Sequence, residues 1–382
     1  MLSREADKTD EREDTMDRRG CLKTGLSAAA VSLFGARAAL AAEAPPIPTD
    51  AVPMGPVLAA APKIDIANGV IRATLTVPDA SRGMYKGQRF DWSGHFASLK
   101  LGDQEFYGPW FDKLSQQARD VVYDNDGTIM VGPHTCAMGP VEEWELNGNP
   151  PGYAEAKPGG TFLKPGVGVL RRRDESPYSS FARYEYADPG KRDLRSGRNW
   201  VEFIHRLGPV DGWGYDYVKR VSLTPGRPQM ILEHRMRNTG THAIAGAVYN
   251  HNFLTLGGAG IGPGLTVTTP YQIKSATPLT NDNARLEPNR LVYLKRLVDR
   301  ERVSTTLEGF GPTAADHRFR VDSAPVGAGY EVMGDHPLAR VAVWSIRTNV
   351  SVEPFIALDI APGAEARWTS TYNYWARGAG RA

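Results

Sequence analysis

Polar and apolar residues alternate over short runs through most of the chain. The clearest case begins at Ile64-Asp65-Ile66-Ala67, passes through Asn68-Gly69, and continues as Val70-Ile71-Arg72-Ala73-Thr74-Leu75-Thr76-Val77. A period of two sends successive side chains to opposite faces of a strand, and Asn-Gly is the strongest short hairpin signal, so this stretch predicts two paired strands. The same texture recurs at 199–207, 215–223, 230–238, 245–256, 340–347 and 367–375, and most of these runs end at Gly, Pro, Asn or Asp. Helical periodicity is scarce; its best case, 110–121, is short. The pattern predicts an all-β fold, one large antiparallel β-sandwich. Neither a fixed-length repeat nor a composition shift divides the chain after residue 62, so residues 63–382 are expected to form one domain.

The N-terminus follows a different plan. Residues 1–16 are polar; then come Arg18-Arg19, a weakly apolar stretch from Thr24 to Ala36, and Ala39-Leu40-Ala41. An arginine pair, a short apolar region and an A-x-A site form the layout of an export signal, and the segment is too short to span a bilayer. It resembles a twin-arginine signal, with Cys21 where that motif usually has Phe. Residues 1–41 are therefore expected to be read by the twin-arginine export machinery, leaving a periplasmic or secreted mature protein. The Ala- and Pro-rich residues 42–62 are expected to be a linker or extended arm.

Composition narrows the function classes. The 382 residues carry a formal charge of +2, and no Lys/Arg stripe is interleaved with aromatics, so nucleic acid is not an expected partner. With Cys21 in the signal, Cys136 is the only mature cysteine and no intrachain disulfide can form. Eight Trp and 15 Tyr supply ring faces on which sugars can stack, although such residues also simply fill cores. The chain has no G-x-S-x-G, H-E-x-x-H, paired C-x-x-C, P-loop or strand-borne G-x-G-x-x-G, and its histidines show no metal-ligand spacing. Neither metal nor cofactor is expected.

Two stretches carry a family resemblance. Tyr249-Asn250-His251-Asn252-Phe253 resembles the Asn-His-x-x-Phe segment of the galactose mutarotase (aldose 1-epimerase) superfamily, with Phe253 one position early. About a hundred residues later, Ser351-Val352-Glu353-Pro354-Phe355 and then Pro362-Gly363 resemble that family's closing Glu and its Pro-Gly turn into the last strand. The phrases Arg89-Phe90-Asp91-Trp92-Ser93-Gly94, Gly139-Pro140-Val141-Glu142-Glu143-Trp144, Phe162–Gly168 and Tyr217-Val218-Lys219 are similar to an uncharacterised bacterial branch of the same superfamily. The usual early His-Gly-Gly is missing; His95, His134 and Glu142-Glu143 lie nearest to where it should fall.

The resemblance implies a galactose mutarotase-like supersandwich that handles carbohydrate. Mutarotation moves two protons, one from the anomeric hydroxyl to a base and one from an acid to the ring oxygen, and needs no cofactor. By resemblance His251 is the acid and Glu353 the base, facing each other across a gap about one pyranose wide. Asn250 joins the sugar-binding set from the same motif. Arg89 and Asp91, on one face of a strand-like segment beside Trp92, are read either as sugar contacts or as an ion pair under a buried Trp. Glu143 is a sugar or cation contact or a solvated edge acid. Lys219 binds an acidic sugar's carboxylate or is a snorkelling strand lysine. A non-catalytic carbohydrate-binding protein, or a lyase or other sugar isomerase, remains the alternative.

Overall fold

A computed structural model describes residues 47–378 apart from 146, 147, 276 and 280. The export signal expected at 1–41 lies outside the described residues. The described residues form one compact unit.

The two principal layers are antiparallel sheets. The larger has ten strands in the order Lys191–Gly197, Trp200–Val210, Trp213–Leu223, Gln229–Asn238, Glu365–Ala376, Ala328–Gly334, Arg318–Ser323, Leu265–Thr268, Arg290–Tyr293 and Ala284–Glu287. The smaller has six: Lys274–Ser275, Arg302–Glu308, Arg340–Ile346, Asn349–Ile360, Ile244–His251 and Val141–Glu145. Trp144, Val248, Ile356 and Leu358 of the smaller sheet pack on Tyr217, Met236 and Trp368 of the larger. Each strand contributes alternate residues to this interior, which is the physical content of the period-two pattern. The fold is therefore the large antiparallel sandwich expected from the sequence.

The first hairpin forms as the alternation requires. Lys63–Ala67 pairs with Ile71–Thr76, Gly69 takes φ +93°, and the Asn68 side-chain oxygen accepts bonds from Val70 N and Ile71 N. Only glycine adopts such a φ without steric cost.

One local expectation needs correction. The described part of the 42–62 segment is not a linker: Val52–Pro53 pairs with Lys113–Leu114, a helix spans Met54–Ala60, and Met54 is buried. Lys63 Nζ donates to the carbonyls of Leu58, Ala59 and Ala61 at the end of that helix, satisfying acceptors that have no intrahelical partner. The stretch 110–121, where helical periodicity is best, holds the short strand Lys113–Leu114 and no helix. Ser115 Oγ accepts from Gln117 N and Ala118 N, a local side-chain bond that competes with helix formation.

Candidate active site

The strands 141–145, 244–251, 340–346 and 349–360 lie side by side in the smaller sheet, and register decides what meets on each face. Tyr249 pairs with Glu143 on one side and Phe355 on the other, while Arg340 pairs with Phe355 and Ala342 with Glu353. The ladder between 244–251 and 349–360 stops at Tyr249–Phe355 and resumes, in the same register, as a bridge between Leu254 and Val350. Pro354 sits in the interruption and has no N–H to donate. Asn252 fills the gap: its N–H donates to Ser351 Oγ, and its side-chain amide donates to Val352 O. Phe253 follows at φ +33°, an uncommon conformation for a bulky residue.

His251 and Glu353 face each other across that opening. His251 Nε2 lies 3.1 Å from Glu353 Oε1. The imidazole stacks on Phe253 at 3.7 Å between ring centroids and meets the edges of Phe90 and Trp344. Burial, reinforced by the Arg89 cation, holds the His251 imidazole well below its usual range. Burial also pushes the Glu353 carboxyl up to about 8, with the Arg89 and Arg340 cations only partly opposing it. Each group is thus biased to its neutral form, because a low-polarity surrounding disfavours charge on either. The expected pyranose-wide gap between the two is absent; the side chains are direct neighbours.

Around the pair lies a second, charged group on the same sheet face. Glu143 accepts from Arg89 Nε at 2.8 Å and from the Tyr249 hydroxyl at 2.5 Å, with Lys164 Nζ at 3.5 Å. Burial works against charge on Glu143, yet Arg89, Lys164 and Tyr249 together bring its carboxyl below the usual range. Toward solvent, Arg340 bonds Glu145 at 2.5 Å and covers the Phe355 ring.

Arg89 and Asp91 do not share a face, because the 89–91 segment is not a strand. Asp91 points into the sandwich interior, as do Lys219 and Asn250. There Lys219 Nζ meets Glu142 Oε2 at 2.5 Å, and the other Glu142 oxygen accepts from Asn250 Nδ2 at 2.7 Å and lies 2.9 Å from His234 Nε2. Burial works against charge on Glu142, but Lys219 and His234 outweigh it and bring the carboxyl down to about 2. Asp91 is pushed up to about 6 by burial, against the pull of Lys219. Gly166 closes over this cluster at φ +76°, where a Cβ would fall 2.5 Å from the Asp91 carboxyl carbon.

Lys219 is fully buried against Glu142 between the sheets, where it neither snorkels to solvent nor lies open to a sugar, which corrects both readings of it. Asp91 and Asn250, expected as sugar contacts, are likewise parts of the interior. Trp92 is buried under the Arg192 guanidinium, its indole N–H donating to Gly87 O. Of the residues singled out in the sequence, Arg89, Glu143, His251 and Glu353 come together. Reasoning from sequence missed Glu142 as the centre of the interior cluster, and Tyr249, Lys164, Arg340 and Trp344 around the outer one. Tyr249 had a signal, since it lies two positions from His251 on a strand and must share its face. Lys164 lies within the 162–168 phrase, which does not mark its role, and Arg340 and Trp344 had no signal.

Among the described residues no group of His, Cys, Asp or Glu is arranged to hold a metal ion, and no helix is long and apolar enough to cross a membrane.

No protein-family model matches the chain, and no curated protein matches it in sequence. Solved structures do. A galactose mutarotase-related enzyme from Lactobacillus acidophilus is 12% identical with a TM-score of 0.48, over 82% of this chain and 97% of its own. A galactose mutarotase-like protein from Clostridium acetobutylicum is 10% identical with a TM-score of 0.48, over 82% and 95%. An aldose epimerase homologue from C. elegans is 12% identical with a TM-score of 0.45, over 83% and 99%. The names these structures carry are those of the superfamily that the sequence motifs resemble.

Proposed function

We propose that this chain is a carbohydrate-active protein of the aldose 1-epimerase type, in which Glu353 and His251 carry the two proton transfers that interconvert sugar anomers. The observation that carries this reading is the cross-strand contact itself, a carboxyl biased to its protonated form beside a neutral imidazole on one sheet face. The ring oxygen and the anomeric hydroxyl are bonded to the same carbon. The acid and the base that serve them must therefore be near neighbours, and a pair held one pyranose apart would reach only one of the two. On sugar binding, the contact between Glu353 and His251 is exchanged for contacts to those two oxygens.

The protonation states reverse the roles that the resemblance implies. Protonated Glu353 gives its proton to the ring oxygen, and neutral His251 takes the proton of the anomeric hydroxyl. The C1–O5 bond breaks and the aldehyde turns about C1–C2; on ring closure the Glu353 carboxylate takes its proton back from the O5 hydroxyl while the His251 imidazolium returns its proton to O1. Arg89 and Glu143 offer charge-assisted hydrogen bonds to the sugar's other hydroxyls, and Trp344 offers an apolar face.

A non-catalytic carbohydrate-binding protein is the second reading. It is favoured by the cover of Phe90, Phe253 and Trp344, which leaves His251 only 5% exposed. Exchange NMR on the anomeric protons of a panel of aldoses separates the two. The enzymatic reading expects exchange accelerated by catalytic amounts of protein for at least one sugar. Saturable binding with uncatalysed exchange throughout the panel would replace it with the second.

Export by the twin-arginine route to the periplasm or beyond is part of the same proposal, supported by the pattern of residues 18–41. Replacing Arg18 and Arg19 by Lys should leave an uncleaved precursor in the cytoplasm; mature protein still exported would overturn it.

A further inference from the structure

A cavity of about 280 Å³ opens beside the outer cluster, between the 84–88 segment, the 133–136 turn and the 183–186 strand region. Its wall includes Lys86, Gln88, His134, Arg183, Tyr184 and Tyr186, and no Asp or Glu lines it. Lys86 and Arg183 are exposed cations at its rim. The Arg183 guanidinium is steadied by the side-chain oxygen of Gln116.

His134 is the informative residue. It is 4% exposed, and its Nδ1 accepts the backbone N–H of Gln88 at 2.9 Å. Burial, aided by the Arg183, Arg89 and Lys164 cations, lowers its imidazole to about 4, so the ring is neutral at physiological pH. A neutral imidazole with an accepting Nδ1 carries its proton on Nε2. Among the described residues that Nε2 is buried and has no hydrogen-bond partner. An unpaired buried donor is costly, and one placed in the wall of a cavity marks where an acceptor belongs.

Gln88 cannot supply that acceptor, because both ends of its side-chain amide are taken by the Tyr184 backbone. Two buried groups of the wall thus lack a partner, His134 Nε2–H and the Tyr186 hydroxyl, and two cations stand at the rim with no opposing carboxylate. Two tyrosine rings and Met84 give the apolar surface that a small ring compound packs against.

We propose that this cavity is a binding site for a small carboxylate-bearing ligand, a hexuronic acid, whose carboxylate accepts a hydrogen bond from His134 Nε2–H and faces Arg183 and Lys86. The preference for an anion rests on this cavity alone. That the anion is a sugar rests on the carbohydrate reading above. The site is separate from Glu353 and His251 and requires no chemistry from them.

Calorimetric titration of the full-length chain tests it with D-glucuronate and D-galacturonate as probes, and glucose, galactose, acetate and inorganic phosphate as comparisons. At least one uronate is expected to bind about tenfold or more tighter than its neutral counterpart, with acetate and phosphate weaker than that uronate. Arg183→Gln and Lys86→Gln, both at exposed positions, should each weaken it several-fold. His134→Asn, whose side-chain oxygen can still accept from Gln88 N–H, should weaken it by about tenfold, the loss expected for one hydrogen bond to a charged group. Equal binding of uronate and neutral sugar, or uronate binding untouched by all three substitutions, would overturn the site. Acetate or phosphate binding as tightly as the uronate would overturn its assignment to a sugar acid. Uronate binding without anomeric exchange would leave this inference standing and remove the enzymatic reading; exchange on neutral sugars with no uronate preference would do the reverse.

Discussion

Glu142 and Glu143 are consecutive on one strand, both are buried, and they belong to different worlds. Glu142 faces the sandwich interior, fixed by Lys219, His234 and Asn250 into a cluster closed to solvent. Glu143 faces outward with Tyr249 beside the His251–Glu353 pair. The inner cluster compensates its charges: the Lys219 cation meets Glu142 and lies near Asp91 as well. The outer one leaves Glu353 touching a neutral imidazole, with no cation in contact. Burial is common to both, so it is the partner that separates them. A carboxylate beside a cation is held ionised and serves the fold, whereas one beside an uncharged base is held protonated and keeps a proton to give.

The largest expected effect falls on the outer side. Glu353→Gln and His251→Gln should each cut anomeric exchange by about 10²–10⁴-fold while sugar affinity changes far less, read by kcat against KM. Near wild-type turnover in both would transfer the chemistry to Glu143. On the inner side, Lys219→Met should leave sugar chemistry secondary and destabilise the fold by about 3–5 kcal/mol in urea unfolding, because it strands the buried Glu142 carboxylate. A loss under about 1 kcal/mol would mean that the cluster does not hold charge as described.

The two carboxyls should also answer pH in opposite senses. Glu142 is depressed on folding, so its stabilisation is present above its unfolded pKa, near 4.3, and is lost as pH falls through about 2. Glu353 is raised, so its contribution is full below that unfolded value and is lost as pH rises through about 8. Wild-type stability should therefore decline between about pH 4.5 and pH 8 by a share that Glu353→Gln removes; equal slopes in the two proteins would refute the raised Glu353. The same assignment fixes the rate profile. Turnover should fall on the basic side near 8 as Glu353 loses its proton, and on the acid side below the usual His range as His251 gains one. The smallest effect is expected for Tyr249→Phe. Glu143 keeps Arg89 and Lys164, so turnover should drop by about tenfold or less, the scale of one hydrogen bond. A loss as large as that of Glu353→Gln would place Tyr249 among the groups that move protons.

By itself the sequence determined the class of fold, the position of most long strands and the two motifs that meet at the site. Alternation is a local property of each strand, and the Asn-His and Glu-Pro phrases need only their own residues to be recognised. It also carried Arg89 and Glu143 into the candidate set. The tertiary structure decided which face each residue takes. A strand's period of two says that neighbours part company, but not which of them goes inward, so the sequence cannot tell that Asn250, a sugar contact by resemblance, and Lys219, a sugar contact or a snorkelling lysine, lie between the sheets. Only the register, with Tyr249 opposite Phe355 and the same offset resumed at Leu254 and Val350, sets His251 across from Glu353. Register is fixed by contacts far apart in sequence, and so are the Arg89–Glu143 and Lys219–Glu142 pairs. The protonation states follow last, because burial and partner exist only once the sheets have closed.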